Sequence, residues 1–121
     1  MVVLDTNAIL RFLMQDDEEK AVCVRSTLER ETCLFPIEVL AEAVYVLAKH
    51  YKIERVLIQQ KWLAILRNKN VEIPHRTVVE MALHHFGKTK FDFGDCLMIG
   101  YAHACGHQIL TFDEKLKNYL S

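Results

Sequence analysis

Four short, mostly apolar runs, Val2-Val3-Leu4, Cys33-Leu34-Phe35, Val71-Glu72-Ile73 and Gln108-Ile109-Leu110, are spread along the chain with helix-like stretches between them. Runs this short suit buried strands better than buried helices, and strands joined through helical crossovers run parallel. The alternation restricts the chain to an α/β fold. It is read as a three-layer α/β/α arrangement, with helices on both faces of a central parallel sheet of four or five short strands. A length of 121 residues suits one domain, assigned to residues 1–121.

The stretches between the runs carry helical spacing. Ala8 to Met14 follows the first run, and Asp16 to Arg30 places Ala21, Val24 and Leu28 on one face. From Ile37 to Tyr51 a single stripe links Ile37, Leu40, Ala41, Val44, Leu47, Ala48 and Tyr51. Glu42 lies off that stripe, on a second face shared with Val39 and Val46. A helix apolar on two faces is expected to be buried on both, which would leave this carboxylate in need of a partner. Ile53 to Arg67, with Trp62, is a further helix, and Val79, Ala82, Leu83 and Phe86 mark another that breaks at Gly87-Lys88-Thr89-Lys90. Cys96 to Cys105 then reads as a helix stopped by Gly106, a residue suited to a left-handed C-cap.

Composition narrows the function more by exclusion than by assertion. No apolar run approaches the roughly 20 residues of a spanning helix. The opening Met1-Val2-Val3-Leu4 lacks the basic flank of a secretory signal, so a soluble, cytoplasmic protein is expected. Cys23, Cys33, Cys96 and Cys105 form no C-x-x-C pair and read as buried thiols. A net charge of -1 carries no sign of a nucleic-acid binder, although acids gathered at a cation site would mask a basic rim. Phosphate-binding glycine loops and the Gly-x-Ser-x-Gly elbow are absent, which leaves water as the expected nucleophile. His103 and His107 lack the further ligands a zinc site needs, and His84 and His85 are expected to line a helix surface.

The chemistry-bearing residues are acids. Asp5 and Asp113 each follow a strand-like run directly, at the edge where parallel sheets collect ligands. Asp92 and Asp95 open the helix before Gly106, with the spacing of a capping box. Taken singly, each aspartate is explained as a helix cap. Glu42 is not, because it sits in mid-helix. Asp5, Glu42, Asp95 and Asp113 together would make a site of hard oxygen ligands, suited to magnesium or manganese rather than zinc.

Val3-Leu4-Asp5-Thr6-Asn7, Glu42 within Val39 to Leu47, Asp92-Phe93-Gly94-Asp95-Cys96-Leu97 and Leu110-Thr111-Phe112-Asp113 appear in this order across nearly the whole chain. In that order they resemble the PIN-domain nucleases, and among them the VapC-type toxins of toxin-antitoxin pairs. The resemblance implies a metal-dependent endoribonuclease in which Asp5, Glu42, Asp95 and Asp113 hold Mg2+ or Mn2+. It further implies support from Asn7, hydrogen-bonded within the acidic cluster, and from Thr111, orienting Asp113 or a metal-held water. Asp92 is assigned to capping or to the surroundings of the site. Arg11, Lys88 and Lys90 are candidate phosphate contacts by position.

An RNA substrate, a cognate antitoxin and a homodimer are the partners implied by the resemblance, with Val39, Val46 and the Trp62 helix as apolar surface for a second copy. The alternatives are a PIN nuclease of RNA processing or decay, and a non-catalytic PIN-like module that binds RNA or protein. Family members commonly continue past the Thr-x-Asp segment into another strand, whereas here Lys115 to Ser121 follows, which fits either a minimal form or the loss of the fifth strand.

Overall fold

The computed structural model describes all residues from Met1 to Ser121. Its contacts group the chain into two units, Met1–Pro74 and His75–Ser121.

The first unit holds the sheet. Strands β1 (Val2–Val3), β2 (Cys33–Leu34) and β3 (Val71–Glu72) pair in parallel in the order β1-β2-β3, with Val2 opposite Cys33 and Cys33 opposite Val71. The chain turns two residues past each strand's last residue: Asp5 caps α1 (Thr6–Met14), Pro36 opens α3 (Ile37–Tyr45), and Pro74 follows β3. Between β1 and β2 the chain forms α1 and α2 (Glu18–Arg30), the latter capped by Asp17. Helix α3 runs into a π-helical turn, Val46–His50, and α4 (Arg55–Leu66) leads to β3. The expected single helix from Ile37 to Tyr51 therefore widens in its last turn, where the Tyr51 N–H reaches back to the Val46 carbonyl.

Phe35, Leu40, Leu47, Ile58 and Trp62 are fully buried in this unit, and Phe35 meets Trp62 edge to face at 5.9 Å. Trp62 is 0% exposed, so the face expected to offer it to a second chain is filled from within. Val39 and Val46 are half-buried, and the large exposed apolar side chain nearby on α3 is Tyr45.

The second unit is helical: α5 (Arg76–Lys88), α6 (Phe93–Cys105) and α7 (Glu114–Leu120). Helix α5 extends through Gly87 and Lys88, two residues into the break expected there, because a helix tolerates one glycine near its end. Gly106 does cap α6, with φ 71°. Gly100, within α6, lets that helix approach α5 closely. A Cβ at this position would come within 2.5 Å of the Val78 carbonyl oxygen.

Four expectations fail here for identifiable reasons. Gln108-Ile109-Leu110 forms no strand, because no neighbouring backbone pairs with it, and Leu110 is 89% exposed. The sheet thus has three strands rather than four or five. Cys33 and Cys96 are buried as expected, but Cys23 and Cys105 face solvent from the outer sides of α2 and α6. His85 is buried rather than on the surface. It belongs to the stripe of Val78, Ala82 and Phe86 that packs inward from α5, and Tyr119 of α7 satisfies its Nδ1 at 2.7 Å.

Candidate active site

In the first unit the candidate residues lie at the end of β1 and along α1 and α3. Asp5 sits in extended backbone at the N-cap of α1, where its Oδ1 accepts a hydrogen bond from the Ala8 N–H at 2.8 Å. Thr6, the first residue of the helix, donates its hydroxyl to Oε2 of Glu42 at 2.8 Å. Glu42 projects from the middle of α3 into solvent, not into a buried second face. Only Leu40, Ala43 and Val44 of α3 pack fully inward, and apolar periodicity does not reveal whether a second stripe will be covered. Asn7 is exposed on the first turn of α1.

Arg11 is tied down. Its Nη1 pairs with Asp16 at 2.7 Å, its Nη2 donates to the Tyr51 hydroxyl at 2.8 Å, and its Nε is buried without a partner. The Tyr51 hydrogen bond holds the guanidinium above its ordinary pKa, against the opposing effect of burial, with Asp16 adding to it. A cleft of about 240 Å³ runs from Asp5 and Asn7 past Arg11 to Lys20 and Val24.

In the second unit, the carboxylate of Asp92 caps α6 by accepting from the Asp95 N–H at 2.8 Å. Asp95, at the third helical position, is half-buried. Burial first, then the charges of Asp92 and Asp113, push its carboxyl above the ordinary range. Asp113 caps α7 through Leu116 N–H at 2.9 Å, while its own N–H donates to the Thr111 hydroxyl at 3.1 Å. Lys88, at the end of α5, and Lys90, in the loop before Asp92, are both exposed.

No group of three or more His, Cys, Asp or Glu side chains is arranged to hold a metal ion unaided. Magnesium does not require one, since it commonly binds through one or two carboxylates and keeps several waters. The donor chemistry fits such an ion. Asp5, Glu42 and Asp113 each commit one oxygen to a helix cap or a hydroxyl. Asp95 carries like-charge strain that a cation would relieve.

The capping reading holds for Asp5, Asp92 and Asp113, with Asp95 three residues into α6, but Asp113 follows no strand and so does not stand at a sheet edge. Sequence reasoning missed the Thr6 to Glu42 hydrogen bond, which joins positions 36 apart and leaves no local signature. It also missed the commitment of Arg11 to Tyr51, which depends on the π-helical turn before Tyr51.

An aspartate beyond the end of β1 and a carboxylate in mid-α3 agree with the comparison of families: the chain is a member of the PIN domain family, whose model matches residues 2–119. It is similar to a VapC ribonuclease of Aquifex aeolicus (strain VF5), 29% identical over 123 residues that cover 97% of this chain and 90% of the relative. No solved structure gives a significant match.

Proposed function

We propose that the chain is a divalent-metal-dependent endoribonuclease of the VapC toxin type, acting as a single nuclease domain over residues 1–121. The observation that carries the reading is the Thr6 to Glu42 hydrogen bond at 2.8 Å, which holds the mid-helix carboxylate of α3 at the first turn of α1, next along the chain from Asp5. The likeness to a VapC ribonuclease over nearly the full chain supports the substrate class.

Asp5 and Glu42 of the first unit and Asp95 and Asp113 of the second would be the oxygen donors to Mg2+ or Mn2+. The ion, when bound, would acidify a water and offset charge on the leaving oxygen. The residues themselves have simpler duties. Asp5 and Asp113 are fixed by their own helix caps, so each presents its remaining oxygen without a large rotamer cost. Thr111 holds the turn into Asp113. Asp92 locks the first turn of α6 and, through its charge, keeps Asp95 proton-hungry. Asn7 would add a hydrogen bond near Asp5. Either Glu42 or Asp95 would take the proton from the attacking water. Lys88 and Lys90 would meet RNA phosphates, and Arg11 would do so only through the N–H groups that Asp16 and Tyr51 leave.

A cognate antitoxin and a second copy of the chain complete the proposal. No helix is long and apolar enough to cross a membrane. Exposed Tyr45, the last residue of α3, is the apolar side chain that such a copy would cover. Sedimentation at increasing concentration should reveal a dimer that Tyr45→Asp weakens, and a concentration-independent monomer would refute it.

The test of activity is cleavage of a defined RNA pool by purified chain. Cleavage should need added Mg2+ or Mn2+, stop with chelator, and disappear in Asp95→Asn. Chelator-resistant cleavage would defeat the proposal.

A further inference from the structure

Thr6 is the first residue of α1, and its side chain does not cap that helix. The helix cap it might have supplied is already made by Asp5, which satisfies the Ala8 N–H. Its hydroxyl instead reaches 36 positions along the sequence to Oε2 of Glu42, at 2.8 Å. Glu42 gains nothing for folding from this bond, since it is exposed and water would satisfy it equally. What the bond does is restrict a long, flexible carboxylate to one orientation, with one oxygen committed and the other left over. The restraint is built on rigid elements: α1 begins where β1 ends, and α1 packs against α3.

We propose that Thr6 is a positioning residue for Glu42, fixing its carboxylate so that the uncommitted oxygen is held ready for the divalent cation. This rests on the nuclease reading above. Partners that orient metal-binding carboxylates are worth about ten- to a hundredfold in metal affinity, and the exposure of this pair puts it near the lower figure. The methyl group of Thr6 is not the relevant part; the hydroxyl is. A serine in its place should therefore serve, and an isosteric valine should not.

The test is calorimetric titration of the full chain with Mn2+ alone, in the absence of RNA, with folding checked by circular dichroism. Thr6→Val should weaken Mn2+ binding about tenfold, and Thr6→Ser should restore most of it. Thr6→Ala provides the same comparison should the valine disturb the first turn of α1. In a Glu42→Gln background, Thr6→Val should cause no further loss, because the partner it positions has already been changed. Unchanged Mn2+ affinity in Thr6→Val, or an equal loss in both backgrounds, would overturn the role of Thr6 alone. Absence of Mn2+ binding by the unaltered chain would instead overturn the metal-site reading, and this role with it.

Discussion

At Asp5 and Asp95 two duties share one side chain, and substitution separates them. Asp5 caps α1 as well as carrying charge. Asparagine caps about as well as aspartate, whereas alanine costs about 1 kcal/mol. Asp5→Asn should therefore keep the thermal stability of the unaltered chain and lose cleavage, while Asp5→Ala loses both. Asp95 is different, because the fold favours its neutral form. The stability it contributes is present below the ordinary carboxylate value of 3.8 and is lost as pH rises through its raised folded value. Asp95→Asn should then melt higher than the unaltered chain at neutral pH while being inactive, and the difference should shrink in acid. A melting temperature that falls at neutral pH would contradict the burial and repulsion assigned to Asp95. The capping positions of Asp5, Asp92 and Asp113 were legible because caps are local features, whereas the strand end expected before Asp113 was not there to be read. The surroundings of Glu42 were not legible: spacing along α3 shows a second apolar face but not that the face is half-open to solvent.

Among the elements, the three helices of the second unit depend on two close approaches. Gly100 brings α6 onto α5, and a methyl there would meet the Val78 carbonyl. Gly100→Ala should cost about 1–3 kcal/mol, the usual penalty of overpacking, read as a lower denaturant midpoint with an unchanged slope. His85 joins α5 to α7 through Tyr119, beside His103 of α6 at 4.9 Å between ring centroids. Burial, with Lys88, His103 and His84 nearby, pushes its imidazole below the ordinary value of 6.5. The neutral form is the folded one, so its contribution is present above that value and is lost as pH falls below it toward the depressed folded value. Thermal melts should show stability falling as pH drops from about 7 to about 5, with a flatter profile in His85→Gln. An equal slope in that variant would show that other groups carry the dependence. Strands β1, β2 and β3 were readable to within a residue, since each apolar run stops at a residue that ends it. The run at Gln108-Ile109-Leu110 shows the limit of that reading: alternation marks a segment that can extend, but strand pairing needs a neighbour. Helix α7 had no visible stripe because only Leu116 of its seven residues is buried.

Across the whole molecule, a net charge of -1 conceals opposed groups: acids at the ends of β1 and at the starts of α6 and α7, and lysines at the end of α5 and in the loop after it. Family membership extends over residues 2–119 and so includes both units. The motif order along the sequence was enough to indicate it, because the spacing between acids is set by the lengths of the intervening elements. The central claim is that these carboxylates serve a cation that hydrolyses RNA. The most direct measurement is the initial cleavage rate of a labelled single-stranded RNA against Mg2+ or Mn2+ concentration, for the unaltered chain, Asp5→Asn and Asp113→Asn. Saturable metal dependence is expected, with a loss of at least about a hundredfold in either variant while both remain folded. Cleavage indifferent to metal, or undiminished in folded Asp5→Asn and Asp113→Asn, would contradict it.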